Sequence, residues 1–202
     1  QGGYEVDRLI TFDKSFKEFV KDLSFKDIWE NNFHGFNNRI LLSYSWPLRS
    51  FPNYAQQLEM ESLGKPANPK SIFKKTSQTI FGGFGPKAQH SYFQQLHQGT
   101  ENYSVDFFSN SEDRVDEKLI SKQLQAQLTL FKNCPKELKG SQEEVKANVN
   151  FNHFELAKID PFHLGYLIAL WEYRTFITAK ILQINPFDQF GVEAGKKLTE
   201  KL

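Results

Sequence analysis

Two carboxylic acids near the end of a predicted helix form the first candidate catalytic group. Glu59 and Glu61 stand shortly before Gly64 and Lys65. The helix dipole disfavours negative charge at a carboxyl-terminal helix end. An acid whose ionisation is disfavoured can serve as a general base that removes and returns a proton. A solvated helix end explains the same pattern equally well, so the segment stays a candidate.

A histidine after a glycine-rich turn forms the second candidate group. Gly82-Gly-Phe-Gly85 follows a predicted strand, and Gln89 and His90 fall in the first turn of the next predicted helix. Glycines permit positive φ angles and close approach of a ligand to the backbone. In open α/β sheets, ligands bind beyond the carboxyl ends of the strands. His90 could therefore supply acid–base chemistry near pH 7, although a tight turn with a capping or surface histidine is the alternative.

The third candidate segment runs from Asn185 to Lys196. A polar loop with Asp188 and Gln189 leads at Gly191 into a short predicted helix that carries Lys196. Unpaired backbone N–H groups and the positive end of the helix dipole favour a polar or anionic ligand there. A surface turn before a terminal helix is the alternative.

Alternating strands and helices are predicted to position these three segments. The patterns predict strands over residues 39–44, 78–81, 105–108 and 154–159. They predict helices over residues 12–23, 25–33, 51–63, 88–98, 116–131 and 161–182, and a short helix from Ser141. Ser24 and Asp160 are the expected N-caps of the second and the last long helix. This alternation predicts an α/β fold with a mainly parallel sheet and helices on both faces.

Composition excludes several functional classes. The chain has 202 residues with 25 Lys and Arg against 24 Asp and Glu, so it lacks the basic excess of a nucleic-acid-binding protein. No apolar run is long enough for a membrane span, and the start does not resemble a signal peptide. Cys134 is the only cysteine, which favours a reducing compartment and a cytoplasmic location. No Cys/His cluster has metal-ligand spacing, so the residues themselves indicate no metal site.

Taken together, the three segments resemble glucose-6-phosphate isomerases. Gln56-Gln-Leu-Glu-Met-Glu-Ser-Leu-Gly-Lys65 is similar to the family element Gln-Gln-x-x-Met-Glu-Ser-x-Gly-Lys. The segment from Gly82 to His90 is similar to the family's glycine-rich histidine segment. The stretch from Asn185 to Lys196 resembles its carboxyl-terminal signature, Asn-x-Phe-Asp-Gln-x-Gly-Val-Glu-x-Gly-Lys. Three long motifs in the family's order are more specific than any one of them.

The resemblance implies a role for each candidate residue. Glu61 matches the family's base, which moves a proton between C1 and C2 of the open-chain sugar through a cis-enediolate. His90 matches a histidine that assists ring opening from the neighbouring subunit of a homodimer. Lys196 matches a lysine that also assists ring opening. Gln57 and Gln189 match glutamines that contact the sugar phosphate near its phosphate.

The resemblance also implies a sugar-isomerase (SIS) type domain with αβα layers and carboxyl-terminal helices. It implies an activity that needs neither a metal nor an organic cofactor. Residues 1–202 correspond to one domain, the second of the family's two. Because the family's phosphate-binding loop and its enediolate-stabilising arginine have no counterpart here, and because the chain begins at Gln1, we expect it to be part of a longer enzyme and to be inactive alone. Two departures, at residues 43–47 and 148–151, bear on subunit contacts more than on Glu61.

Two other functions remain open at this point. A non-catalytic sugar-phosphate-binding module would keep the fold and the glycine-rich loop without needing a base. A role in protein interaction alone is the third, since half of a subunit would leave an apolar face exposed. The presence of Glu61, His90 and Lys196 together favours the enzyme.

Overall fold

A four-stranded parallel sheet forms the centre of the computed structural model, which describes residues 1–112 and 118–202. The strands are β1 (Asn38–Ser43), β2 (Thr79–Phe84), β3 (Tyr103–Asn110) and β4 (Val149–Leu156), in the order β2-β1-β3-β4. β1 pairs in parallel with β2 and β3, and β3 pairs in parallel with β4. All four strands therefore end at the same edge of the sheet, which confirms the predicted α/β fold.

Helices cover both faces of this sheet. They are α1 (Gly2–Phe12), α2 (Lys14–Phe33), α3 (Phe51–Leu63), α4 (Gly85–Ala88), α5 (Phe93–Gln98), α6 (Lys118–Lys132), α7 (Pro161–Leu182) and α8 (Phe190–Thr199). Successive side chains of β1 point to opposite faces, as the pleat requires. Ile40 and Leu42 join a core cluster with α5 and α6, whereas Leu41 joins a second cluster with α3 and α7. The result is the predicted arrangement of three layers.

Two predicted helices have the expected boundaries. α3 covers residues 51–63, with Pro52 in its first turn, where a missing backbone N–H does no harm. α7 begins at Pro161, and the Asp160 carboxylate accepts a hydrogen bond from the His163 backbone N–H at 2.9 Å. Asp160 is therefore the N-cap that the sequence predicted.

The predicted break at Ser24 is wrong. α2 is continuous through Ser24, and its N-cap is Asp13, whose carboxylate accepts a hydrogen bond from the Phe16 N–H at 2.9 Å. The Ser24 hydroxyl is buried and lies 2.9 Å from the Val20 carbonyl and 3.0 Å from the Arg174 carbonyl. Ser24, which has the sequence pattern of an N-cap, therefore contacts a neighbouring helix instead of starting one.

The glycine-rich segment also differs from its prediction. β2 continues through Gly82 and Gly83, so these residues belong to the strand. A Cβ on Gly82 would lie 1.9 Å from the Leu41 carbonyl oxygen of β1, so close packing of the two strands explains this glycine. The predicted helix over residues 88–98 is divided into α4 and α5, and His90 lies in the turn between them.

α1 was not predicted, and β3 extends two residues beyond each end of the predicted strand. Further differences concern residues 116–159. α6 ends one residue beyond its prediction, and its predicted start at residues 116–117 falls outside the described residues. No helix follows Ser141: its hydroxyl accepts from the Glu143 N–H, and the Glu144 carboxylate accepts from the Gly140 N–H, which closes a turn. β4 begins five residues before the predicted strand, because its pairing with β3 extends back to Val149.

Candidate active site

A cavity of about 700 Å³ lies between α3, α7 and residues 186–189. Gln57 and Glu61 reach it from α3, one helical turn apart, and Gln189 reaches it from the loop before α8. Residues four apart lie on the same face of a helix, which explains why α3 presents both side chains to one space. Three of the five predicted site residues therefore line a single cavity.

Glu61 is exposed at the cavity wall. Its Oε1 lies 3.4 Å from Gln57 Nε2, a long and weak hydrogen bond. The carboxylate can thus contact a ligand in the cavity. Nothing in the described residues locks it in one orientation.

The lining of this cavity carries acidic groups and no basic side chain. Asp7 from α1 and Glu172 from α7 join Glu61 there. The Tyr54 hydroxyl donates to Glu172 Oε1 at 3.2 Å, and the Tyr173 hydroxyl donates to Asp7 Oδ1 at 2.9 Å. Burial, together with the charge of Glu172, raises the pKa of Tyr54 to about 12, so this phenol stays protonated at neutral pH. Because carboxylates repel an anion, this lining suits an uncharged polyol better than a negatively charged group.

Glu59 has a different environment from Glu61, although they are two residues apart. Its side chain is buried, pairs with the Arg39 guanidinium, and accepts a hydrogen bond from Trp171 Nε1 at 2.7 Å. Burial raises the pKa of Glu59, and the charge of Arg39 opposes that rise. Glu59 therefore holds α3 against the sheet and α7, and only Glu61 is left for the cavity.

A buried ionic network continues from Glu59 beneath the site. Arg174 donates two hydrogen bonds of 2.7 Å to Asp27 and one of 3.0 Å to Asp106. Arg39 lies 2.6 Å from Asp27. Burial raises the pKa of Asp27, but the charges of Arg174 and Arg39 overcome this and lower it to about 2. Two guanidinium groups and three carboxylates thus join α2, β1, α3, β3 and α7. Sequence patterns did not predict this network, because charged residues within apolar runs carry no signal of contact with one another.

Lys65 joins the segment that carries Glu61 to the segment that carries Gln189. Its ammonium group donates to the Glu61 carbonyl at 2.8 Å and to the Asp188 carbonyl, and lies 3.5 Å from Asp188 Oδ1. Asn185 Nδ2 also donates to the Asp188 carboxylate at 2.7 Å. Lys65 and Asp188 stand in separate motifs 123 positions apart, and nothing in their spacing indicates that they pair.

His90 and Lys196 do not line this cavity. Both side chains are exposed, His90 in the turn between α4 and α5 and Lys196 on α8, a helix with no buried residue. The neighbouring cavity, of about 470 Å³, is lined by Gly82, Gly83 and Lys87 among others, but not by His90. Within this chain, therefore, these two predicted site residues stand apart from Glu61.

Outside residues 113–117, no group of three or more His, Cys, Asp or Glu side chains could hold a metal ion. Of the helices described above, none is long and apolar enough to cross a membrane.

The sequence model of the phosphoglucose isomerase family matches residues 1–202. The chain belongs to the phosphoglucose isomerase family. A solved relative agrees: the glucose-6-phosphate isomerase from Chlamydia trachomatis superposes with a TM-score of 0.83 at 29% identity, over 99% of this chain and 41% of that chain. The fold alone is also shared with a hypothetical protein from Thermus thermophilus, at a TM-score of 0.76 and 19% identity, over 99% of this chain and 48% of that chain.

Curated phosphoglucose isomerase relatives are longer than this chain. The glucose-6-phosphate isomerase of Legionella pneumophila (strain Lens) is 35% identical over 198 residues, which cover 96% of this chain and 39% of the relative. That of Polaromonas naphthalenivorans (strain CJ2) is 37% identical over 187 residues, covering 89% of this chain and 36% of the relative. The chain thus spans well under half the length of these curated relatives.

Proposed function

We propose that the complete polypeptide containing this sequence interconverts glucose 6-phosphate and fructose 6-phosphate. The observation that carries this proposal is that Gln57, Glu61 and Gln189, which come from two distant family signatures, line one cavity. In the proposed reaction the Glu61 carboxylate removes a proton from C2 of the open-chain aldose. An enediolate forms, and the same proton is returned to C1, while O2 loses its hydroxyl proton and O1 gains one, so that C2 becomes the carbonyl carbon. The reverse reaction uses the same groups.

Gln57 and Gln189 are proposed to bind and orient the substrate. Their amides are neutral and can both donate and accept hydrogen bonds, which suits sugar hydroxyls and phosphate oxygens alike. The acidic lining of the cavity would repel a phosphate dianion. We therefore propose that the phosphate charge and the enediolate are stabilised by groups outside this wall, and that the 202-residue chain alone has no measurable activity.

His90 and Lys196 are proposed to assist ring opening. Since His90 does not line the cavity that holds Glu61, its role requires a second subunit, and a homodimer is proposed for the complete protein. Mixing Glu61→Gln and His90→Ala subunits tests this. If His90 acts across the interface, each mixed dimer regains one intact site and activity recovers to roughly a quarter of wild type by random pairing. No recovery would contradict the shared site.

Substitution of Glu61 tests the proposed chemistry. In the complete polypeptide, Glu61→Gln should lower kcat at least about 100-fold in a coupled isomerase assay, while sugar-phosphate binding by calorimetry is retained. Glu18→Gln is the control, because Glu18 is an exposed carboxylate on α2 that pairs with Lys21. Unchanged turnover in Glu61→Gln would refute the role of Glu61. Tight binding without turnover in the wild type would instead support a non-catalytic binding module.

A further inference from the structure

Pro186 is the buried residue of the loop that carries Gln189, and the other residues of the loop are exposed or half-buried. Phe187 is 76% exposed, and its ring contacts Phe176 at a centroid distance of 6.1 Å. Gln183, at the start of the loop, accepts a hydrogen bond from Asn68 at 3.0 Å, also at the surface. α8, which follows the loop, buries no residue. Beyond the burial of Pro186, the position of Gln189 at the cavity therefore depends on polar contacts of the residues beside it.

Lys65 contacts the residue that precedes Gln189. Its side chain is 12% exposed, and its ammonium group contacts both polar groups of Asp188, the residue that precedes Gln189. The Asp188 carboxylate is presented for this contact by Asn185, whose amide oxygen also accepts from the Phe187 N–H at 3.1 Å. A charge-assisted contact from a largely buried lysine is stronger than exposed surface pairs.

The same ammonium group holds the other side of the site. It donates to the Glu61 carbonyl, one of the last carbonyls of α3, which have no partner within the helix. A positive charge at a helix C-terminus is also favoured by the helix dipole. The Lys65 backbone is held in turn by Thr76, whose hydroxyl donates to the Lys65 carbonyl at 2.7 Å. Lys65 is thus anchored and has two partners, one in each signature segment.

We propose that Lys65 is a positioning residue that fixes the distance between the Glu61 carboxylate and the Gln189 amide. Lys65 does not line the cavity, so it acts through these two residues and not on the substrate. The largely buried ammonium group of Lys65 thus holds the end of α3 and the loop that carries Gln189 in a fixed relative position. The inference rests on the proposed function, because it assigns Gln189 a contact with the substrate.

Loop mobility provides a test that does not depend on activity. In the complete polypeptide, Lys65→Met keeps the aliphatic stem and removes the charge, and Lys70→Met is the control, because Lys70 is an exposed lysine five residues away. Amide hydrogen exchange over residues 184–192 should become at least about tenfold faster in Lys65→Met and stay unchanged in the control. Unchanged exchange in Lys65→Met would overturn the proposal.

A double-mutant cycle tests whether Lys65 acts through Gln189. Lys65→Met should lower kcat/KM about 10- to 100-fold, Lys65→Arg should lose less, and the loss should be largely absent in a Gln189→Ala background. Equal losses in both backgrounds would overturn the positioning role. If Glu61→Gln keeps full turnover, the proposed function fails, and the exchange experiment still decides separately whether Lys65 holds the loop.

Discussion

Glu59 and Glu61 offer a matched pair of substitutions on one helix. Glu59 is 2% exposed, pairs with Arg39 and accepts from Trp171, whereas the Glu61 carboxylate has one long contact with Gln57. We predict that Glu59→Gln mainly lowers stability and that Glu61→Gln mainly lowers activity.

The size of the Glu59 effect follows from its contacts. Gln at position 59 can still accept from Trp171 with its amide oxygen, but its NH₂ group then faces the Arg39 guanidinium, and two donors meet. A lost charged hydrogen bond and an unsatisfied buried donor each cost about 1–3 kcal/mol. The substitution also leaves two carboxylates against two guanidinium groups, which offsets part of this. The net loss should be about 3 kcal/mol, or a fall in Tm of roughly 6–12 °C.

Urea and thermal denaturation followed by circular dichroism measure this difference. Glu61→Gln should lie within about 0.5 kcal/mol of wild type, because it alters an exposed group with one weak contact. In the complete polypeptide, Glu59→Gln should keep near-normal kcat well below its Tm. A Glu59→Gln protein as stable as wild type, or a Glu61→Gln protein equally destabilised, would refute this division of roles.

Three further predictions concern the packing that supports the site. The pKa of Asp27 is lowered to about 2 from 3.8, so its ionised carboxylate contributes about 2 kcal/mol to the free energy of unfolding. This contribution is fully present above pH 4 and is lost as pH falls toward 2. Urea denaturation between pH 5 and 2.5 should show the loss, and Asp27→Asn should flatten the plot of stability against pH. Trp171→Phe removes the donor to Glu59 and should cost about 2–3 kcal/mol by urea denaturation; a loss below about 1 kcal/mol would contradict the contact. Gly82→Ala should disrupt the β1–β2 pairing and lower soluble yield and Tm. Gly195→Ala should instead stabilise α8 by about 0.5–1 kcal/mol, because a Cβ there would meet nothing within 4 Å. Equal effects of the two substitutions would contradict this account of Gly82.

The α/β class and several boundaries were predictable from local patterns. Pro52 and the Asp160-Pro161 pair mark helix starts through backbone chemistry that does not depend on the rest of the fold, and α3 and α7 begin where these residues predicted. The strand at Asn38–Ser43 was predicted by its apolar run, which both faces of a parallel sheet require.

Local signals failed where a distant contact competed with them. Ser24 has the sequence of an N-cap, but its hydroxyl contacts α7 across 150 residues of chain. Gly82 has the sequence of a turn, but the neighbouring strand leaves no room for a Cβ. Sequence spacing carries no information about such neighbours, because they meet only when the layers pack.

The sequence by itself determined the α/β class, the family motifs and the residue types that could do chemistry. Tertiary structure decided which acid faces the cavity. Glu59 and Glu61 are indistinguishable by type and nearly so by position, yet the rotation of about 200° between residues two apart on a helix sends one to a buried arginine and the other to the cavity. Tertiary structure also brought Lys65 to Asp188, across 123 positions, because the end of α3 and the loop after α7 meet only in the folded chain.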